Sequence, residues 1–184
     1  PPVGPSPAPQ TGVRPFVVNA RNTLVYITWT RFRGFSVGNL RTGRIIATRN
    51  FGPVPSSFQP TAPSHGISLS PSGRRLYVLD TPVREVRVYT AGRSPRYLTS
   101  IRIPDGLRGD DSPCAYDCLR DGWLLHSLRG RYVFVGDSGD VIRTATHRVV
   151  AFLPALLNSR HGFLQILWRD GRPVASTGHF GIGR

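Results

Sequence analysis

Apolar residues in this chain come in short alternating bursts, separated by glycine, proline and serine. Leu24–Trp29 reads LVYITW, Glu85–Tyr89 reads EVRVY and Arg148–Leu153 reads RVVAFL. Runs of this length, rich in β-branched and aromatic residues, predict strands. No 3.6-residue periodicity is sustained, so no helix longer than two turns is expected. Ser64–Asp80, SHGISLSPSGRRLYVLD, is the clearest case. There Ile67–Leu69 and Leu76–Leu79 flank a turn at Pro71-Ser72-Gly73, which predicts a β-hairpin with Arg74 and Arg75 on its wet side.

The strands group into units. Residues 14–51 hold four, at Phe16–Val18, Leu24–Trp29, Gly34–Val37 and Arg44–Thr48. Residues 64–103 and 123–153 each hold four more, and residues 163–184 hold a hairpin through Asp170-Gly171, a strong turn signal. Residues 1–13 form a Pro-rich linker or tail, residues 52–63 are a loop without regular structure, and residues 104–120 are a second long insertion. The units repeat. Gly73-Arg-Arg-Leu-Tyr-Val-Leu-Asp80 matches Gly130-Arg-Tyr-Val-Phe-Val-Gly-Asp137, and Asn22–Trp29 fits the same frame more loosely. Four strands per repeated unit predict an all-β fold of radially stacked sheets.

These residues resemble the YVTN-repeat β-propellers, YncE-like relatives of the WD-repeat proteins. The resemblance rests on Ser70-Pro71-Ser72-Gly73 followed by Leu76-Tyr77-Val78-Leu79-Asp80, and on the turns Val141-Ile142-Arg143-Thr144 and Leu40-Arg41-Thr42-Gly43. Arg143 stands where such repeats carry Asp, so that turn is expected to be looser, and Thr90-Ala91-Gly92 lacks the Thr-Gly pattern. The resemblance implies a partial β-propeller of about three four-stranded blades plus an incomplete fourth. Such families usually have seven blades, so it also implies the C-terminal half of a longer propeller. Raw strand edges would then meet missing blades or a second chain.

Composition changes this picture little. The net charge is +14, from 24 basic residues against 10 acidic ones, and every basic residue is Arg. Uniform Arg usage fits a GC-rich genome. The arginines are scattered along the sequence, without a basic run interleaved with stacking aromatics, which argues against specific nucleic-acid binding and for a solvated basic surface. Polyanion binding would require one continuous arginine face. No apolar run approaches the ~20 residues of a membrane span. Residue 1 is not Met, so the chain is expected to be processed or cut from a longer one, and no signal peptide is visible.

Candidate chemistry is sparse. His65 and His161 each precede Gly and an apolar strand. In stacked blades they would share one face with Arg160, Asp117 and Asp121, a mixed patch suited to a ligand or partner. Two imidazoles are weak metal candidates without a third ligand, so no cofactor is expected. Cys114 and Cys118 have the wrong spacing for a zinc knuckle; outside the cytoplasm they are expected to form a local disulfide, and a periplasmic or secreted location is expected. Asp110, Asp111, Asp117 and Asp121 do not fit a calcium loop and are expected to be solvated beside Arg108 and Arg120. Trp29 is expected at the surface, with Trp123 and Trp168 packed on sheets. The leading expectation is a non-enzymatic binding module that meets a protein or small ligand through its loop-bearing face. The competing class, implied by the resemblance, is an enzyme of lactonase-like or quinoprotein-dehydrogenase-like type with its site at the channel mouth.

Overall fold

Short alternating runs broken by Gly and Pro leave the backbone little choice but hairpins. The computed structural model describes residues 12–58, 62–104, 107, 109–114, 118–158 and 162–177. Among them all regular structure is β, apart from single 3-10 turns at Thr81–Val83 and Pro154–Leu156. The first sheet comprises β1 (Val13–Val18), β2 (Leu24–Trp29), β3 (Phe32–Asn39) and β4 (Arg44–Asn50). The second comprises β5 (Ile67–Leu69), β6 (Arg75–Asp80), β7 (Glu85–Thr90) and β8 (Tyr97–Arg102). The third comprises β9 (Trp123–His126), β10 (Tyr132–Gly136), β11 (Asp140–Arg143) and β12 (Arg148–Phe152). A separate hairpin pairs β13 (Ile166–Arg169) with β14 (Arg172–Ser176). Within each sheet the strands run antiparallel in sequence order, as simple meanders.

The first strands of the sheets are neighbours: β5 contacts β1 on one side and β9 on the other. Three meanders whose inner strands adjoin in turn are blades around an axis, so the fold is a partial β-propeller. Two cores fill the spaces between blades. Phe35, Val37, Leu69, Leu76 and Val78 pack between the first two sheets, and Leu79, Val88, Leu124, Val133 and Ile142 between the second and third. All ten are at most 1% exposed. Each such side chain contributes roughly 1.5–3 kcal/mol through burial.

The meander gives the molecule two distinct ends. The tight turns joining first to second and third to fourth strands all lie at one end, here the turn end. The connections from second to third strands, and from blade to blade, lie at the other, the loop end. At the turn end, Gly73 takes φ 67° and its N–H donates to the Ser70 carbonyl at 2.8 Å. The turn after Arg143 is closed by His147 N–H donating to the Arg143 carbonyl at 2.9 Å, so Arg143 does not loosen it. Trp29 corrects its expectation: it is 9% exposed, and its indole N–H donates to Ser36 Oγ at 3.0 Å. A register shift between Thr28 and Trp29 accompanies this inward turn. Trp168, expected on a sheet, is 57% exposed instead.

Candidate functional site at the loop end

His65 and Gly66 enter the second blade just before β5. Gly66 has no room for a side chain, since a Cβ there would lie 2.9 Å from Leu124 Cγ and 3.1 Å from Leu79 Cβ. This close approach seats His65 against the third blade. His65 Nδ1 lies 2.6 Å from the Gly122 carbonyl and 3.3 Å from Asp121 Oδ1. A carbonyl only accepts, so Nδ1 carries the proton. The ring also meets Trp123 edge-on, with centroids 5.8 Å apart. Asp121 is 1% exposed and His65 9%, so both are nearly sealed from solvent.

Asp121 and Gly122 are held from several sides. Thr81 Oγ1 donates to the Asp121 carbonyl at 3.3 Å, and Gly122 N–H donates to Asp137 Oδ2 at 3.2 Å. Gly122 has φ 88°, and a Cβ there would lie 2.3 Å from Leu79 Cδ2, so any other residue would strain the backbone and clash. Asp137 N–H in turn donates to the Leu156 carbonyl at 2.7 Å. Ser138 Oγ donates to Asp140 Oδ2 at 2.8 Å. The loop end thus stitches the second blade, the third blade and the segment after β12 through a chain of buried polar contacts.

The long segment between β8 and β9 stands on this base. Cys114 and Cys118 are disulfide-bonded, with Cα atoms 5.6 Å apart. Asp110 and Leu119 form an antiparallel bridge, and Asp111 N–H donates to the Cys118 carbonyl at 2.8 Å. Arg120 Nε lies 3.8 Å from Asp111 Oδ1. Asp111 and Asp121 are buried rather than solvated, the first facing Arg120 and the second facing His65; Asp110 is exposed. Ser112 N–H donates to Asn158 Oδ1 at 2.9 Å, and Asn158 Nδ2 donates back to the Ser112 carbonyl, tying the segment to the region after β12.

Of the expected site residues, the structure therefore brings His65 and Asp121 together. His161, Arg160, Asp117 and Arg108 lie outside the described residues. Among the described residues, no group of three or more His, Cys, Asp or Glu could hold a metal ion.

Two polar clusters escaped the sequence reading. Asp80, at the end of β6, is fully buried between two arginines of different sheets. Arg33 Nε donates to its Oδ1 at 2.6 Å and Arg33 NH2 to its Oδ2 at 3.0 Å. Arg87 Nε donates to Oδ2 at 2.6 Å, and its guanidinium lies 4.8 Å from the centre of the Phe51 ring. Burial pulls against the Arg87 charge, but the hydrogen bond and field of Asp80 outweigh it and raise its pKa. The second cluster joins inner strands. His126 Nδ1 lies 2.8 Å from Ser68 Oγ, and its ring meets Tyr77 edge-on at 4.8 Å. Burial pushes the His126 pKa down to about 3 and the Tyr77 pKa up to about 12. Both groups are therefore neutral at pH 7. Asp80 was visible as a repeated position; its arginine partners and the Ser68–His126 pair carried no sequence signal.

No protein-family model matches the chain, and no curated protein matches it in sequence. Solved structures do match. Hydrazine synthase from Kuenenia stuttgartiensis superposes with a TM-score of 0.58 at 15% identity, covering 84% of this chain and 41% of its own. The β-propeller domain of Myceliophteria thermophila Cps50 (Swd1) gives 0.54 at 14% identity, covering 78% and 44%. The periplasmic gluconolactonase PpgL of Pseudomonas aeruginosa gives 0.52 at 18% identity, covering 79% and 40%. At these identities the likeness shows the propeller fold alone. The chain spans 40–44% of the length of the matched chains, well under two thirds.

Proposed function

We propose that the chain is a propeller binding module of YVTN type that engages a protein partner through its loop end, outside the cytoplasm. The observation that carries this reading is the segment between β8 and β9. It is fixed by a disulfide, a β-bridge and the Asn158 clamp, yet presents Asp110 and the 36%-exposed Leu119 outward. A long connection pinned by these bonds and carrying an exposed apolar residue beside a carboxylate is a recognition element on a rigid scaffold. The Ser70–Asp80 pattern supports the YVTN assignment, and the disulfide supports an oxidising compartment.

A photo-crosslinking residue placed at Leu119 tests the reading in the native host. It should yield a discrete protein adduct that disappears with Asp110→Arg, while the same probe at Leu40, at the turn end, yields none. No adduct at Leu119, or the same adduct from both positions, sinks the proposal.

One observation favours a second reading. His65, with its Nδ1 proton held by Gly122 and Asp121, has the base-and-orienter arrangement of hydrolytic sites. A lactone-hydrolysis assay separates the two: turnover lost in His65→Ala supports the enzyme, and no turnover leaves the binding module.

A further inference from the structure

The fold sorts the charges that are scattered along the sequence. At the turn end, each of the six tight turns of the three blades carries exposed arginine or is flanked by it. The first blade presents Arg21, Arg41 and Arg44. The second presents Arg74, Arg75, Arg93 and Arg96. The third presents Arg129, Arg131, Arg143 and Arg148. No acidic residue lies in any of these turns. The described acidic residues of the blades, among them Asp80, Asp111, Asp121, Asp137 and Asp140, all sit at the loop end. A GC-rich genome would explain the residue type. It does not account for the absence of acidic residues from the six turns, since the loop end carries both signs, Arg31 and Arg102 among them.

We infer that the turn end is a docking surface for an anionic lipid bilayer. Three features choose this partner among polyanions. The arginines are spread in two dimensions, because they sit on the tips of stacked blades that end on one side of the molecule. A planar sheet of charge meets all of them together, whereas a nucleic-acid rod meets only a row. Exposed apolar and amphipathic residues stand among them: Leu40 at 44%, Tyr97 at 52% and Leu98 at 42% exposure. Such residues belong at the headgroup level of a membrane. Finally, a cavity of about 180 Å³ lies between the third blade and the terminal hairpin, lined by Arg129, Arg131, Tyr132 and Gln165 among others. Two arginines in its lining suit the phosphate of a lipid headgroup. The inference stands independently of the partner proposed for the loop end, which would face away from the bilayer.

The test is co-sedimentation of the 184-residue chain with vesicles of phosphatidylcholine, with or without about one-third phosphatidylglycerol. Binding is expected only to the anionic vesicles, and is expected to weaken steeply as salt shortens the Debye length to ~3 Å at 1 M. Each arginine removed should weaken binding about fivefold, so the quadruple change Arg41→Gln, Arg74→Gln, Arg93→Gln and Arg129→Gln should cost several hundredfold. The loop-end control Arg31→Gln with Arg102→Gln should bind as the parent does, since neither residue lies at the turn end. Circular dichroism confirms that each variant keeps its β structure. The inference is overturned if neutral vesicles bind equally, if no vesicle binds, if the quadruple variant binds as the parent does, or if an RNA or DNA oligonucleotide competes the chain off anionic vesicles at equal phosphate concentration.

Discussion

At the scale of single residues, His126 shows what burial does to an ionisable group between blades. Its ring is enclosed by Tyr77, and its Nδ1 meets Ser68 on the neighbouring inner strand. Loss of solvation holds its pKa near 3, against about 6.5 for an exposed imidazole. The unfolded chain therefore binds a proton in a pH range where the folded chain does not. The resulting stabilisation is fully present above about pH 6.5 and is lost as pH falls toward 3, with a total on the order of a few kcal/mol. His126→Gln keeps a partner for Ser68 but cannot titrate. Its urea midpoint should fall less steeply than the parent's between pH 6.5 and 4, even if it starts lower. Parallel slopes would show that His126 does not drive the acid sensitivity. Nothing in Leu124-Leu125-His126-Ser127 announces this role. Strand alternation shows which side chains point inward, but the partner of an inward histidine lies on another blade.

At the scale of elements, the repeated frame ending in Asp80 and Asp137 was legible, and its two copies are spent differently. Both aspartates are at most 1% exposed. Asp137 turns at φ 64° and accepts from Gly122 N–H, fixing the entry to the third blade. Asp80 instead joins β6 and β7 to Arg33 of β3, across the interface between the first two blades. Strand positions could be read because hairpins are local. The Arg33–Asp80 pairing could not, because its members are 47 residues apart in sequence. Removing the carboxylate leaves two guanidinium groups, one of them buried, without their counter-charge. Asp80→Ala is expected to cost about 3–5 kcal/mol in urea unfolding, the range for breaking a buried ion pair. Arg87→Ala should cost clearly less, since Arg87 is more exposed and Arg33 still satisfies Asp80. Equal losses would mean that Phe51 stacking, rather than the shared carboxylate, holds the interface.

At the scale of the whole molecule, the arc of blades ends in exposed apolar surface. Outer strands β4 and β8 bury residues such as Ala47 and Ile101, whereas every residue of β12 is exposed or half-buried. Val150 and Phe152 on β12 are 45% and 46% exposed, and on the terminal hairpin Ile166, Trp168 and Val174 are 43%, 57% and 50% exposed. Single exposed apolar residues are ordinary, but this group gathers at one end of the arc, where a two-stranded hairpin stands in place of a full blade. A β-surface of this kind, beside hairpin edges that no described strand pairs with, favours pairing with another β-surface. The 184-residue chain alone is therefore expected to self-associate reversibly, with the weight-average mass in sedimentation equilibrium rising with concentration. Ile166→Lys with Trp168→Lys should hold it monomeric, because two charges then lie in the contact. The turn-end quadruple arginine variant should associate at least as readily as the parent, since it carries less mutual repulsion and leaves the apolar end intact. A parent chain that is monomeric at every concentration would show that this end is adequately covered by the chain itself. Association abolished by the arginine variant would move the contact to the turn end.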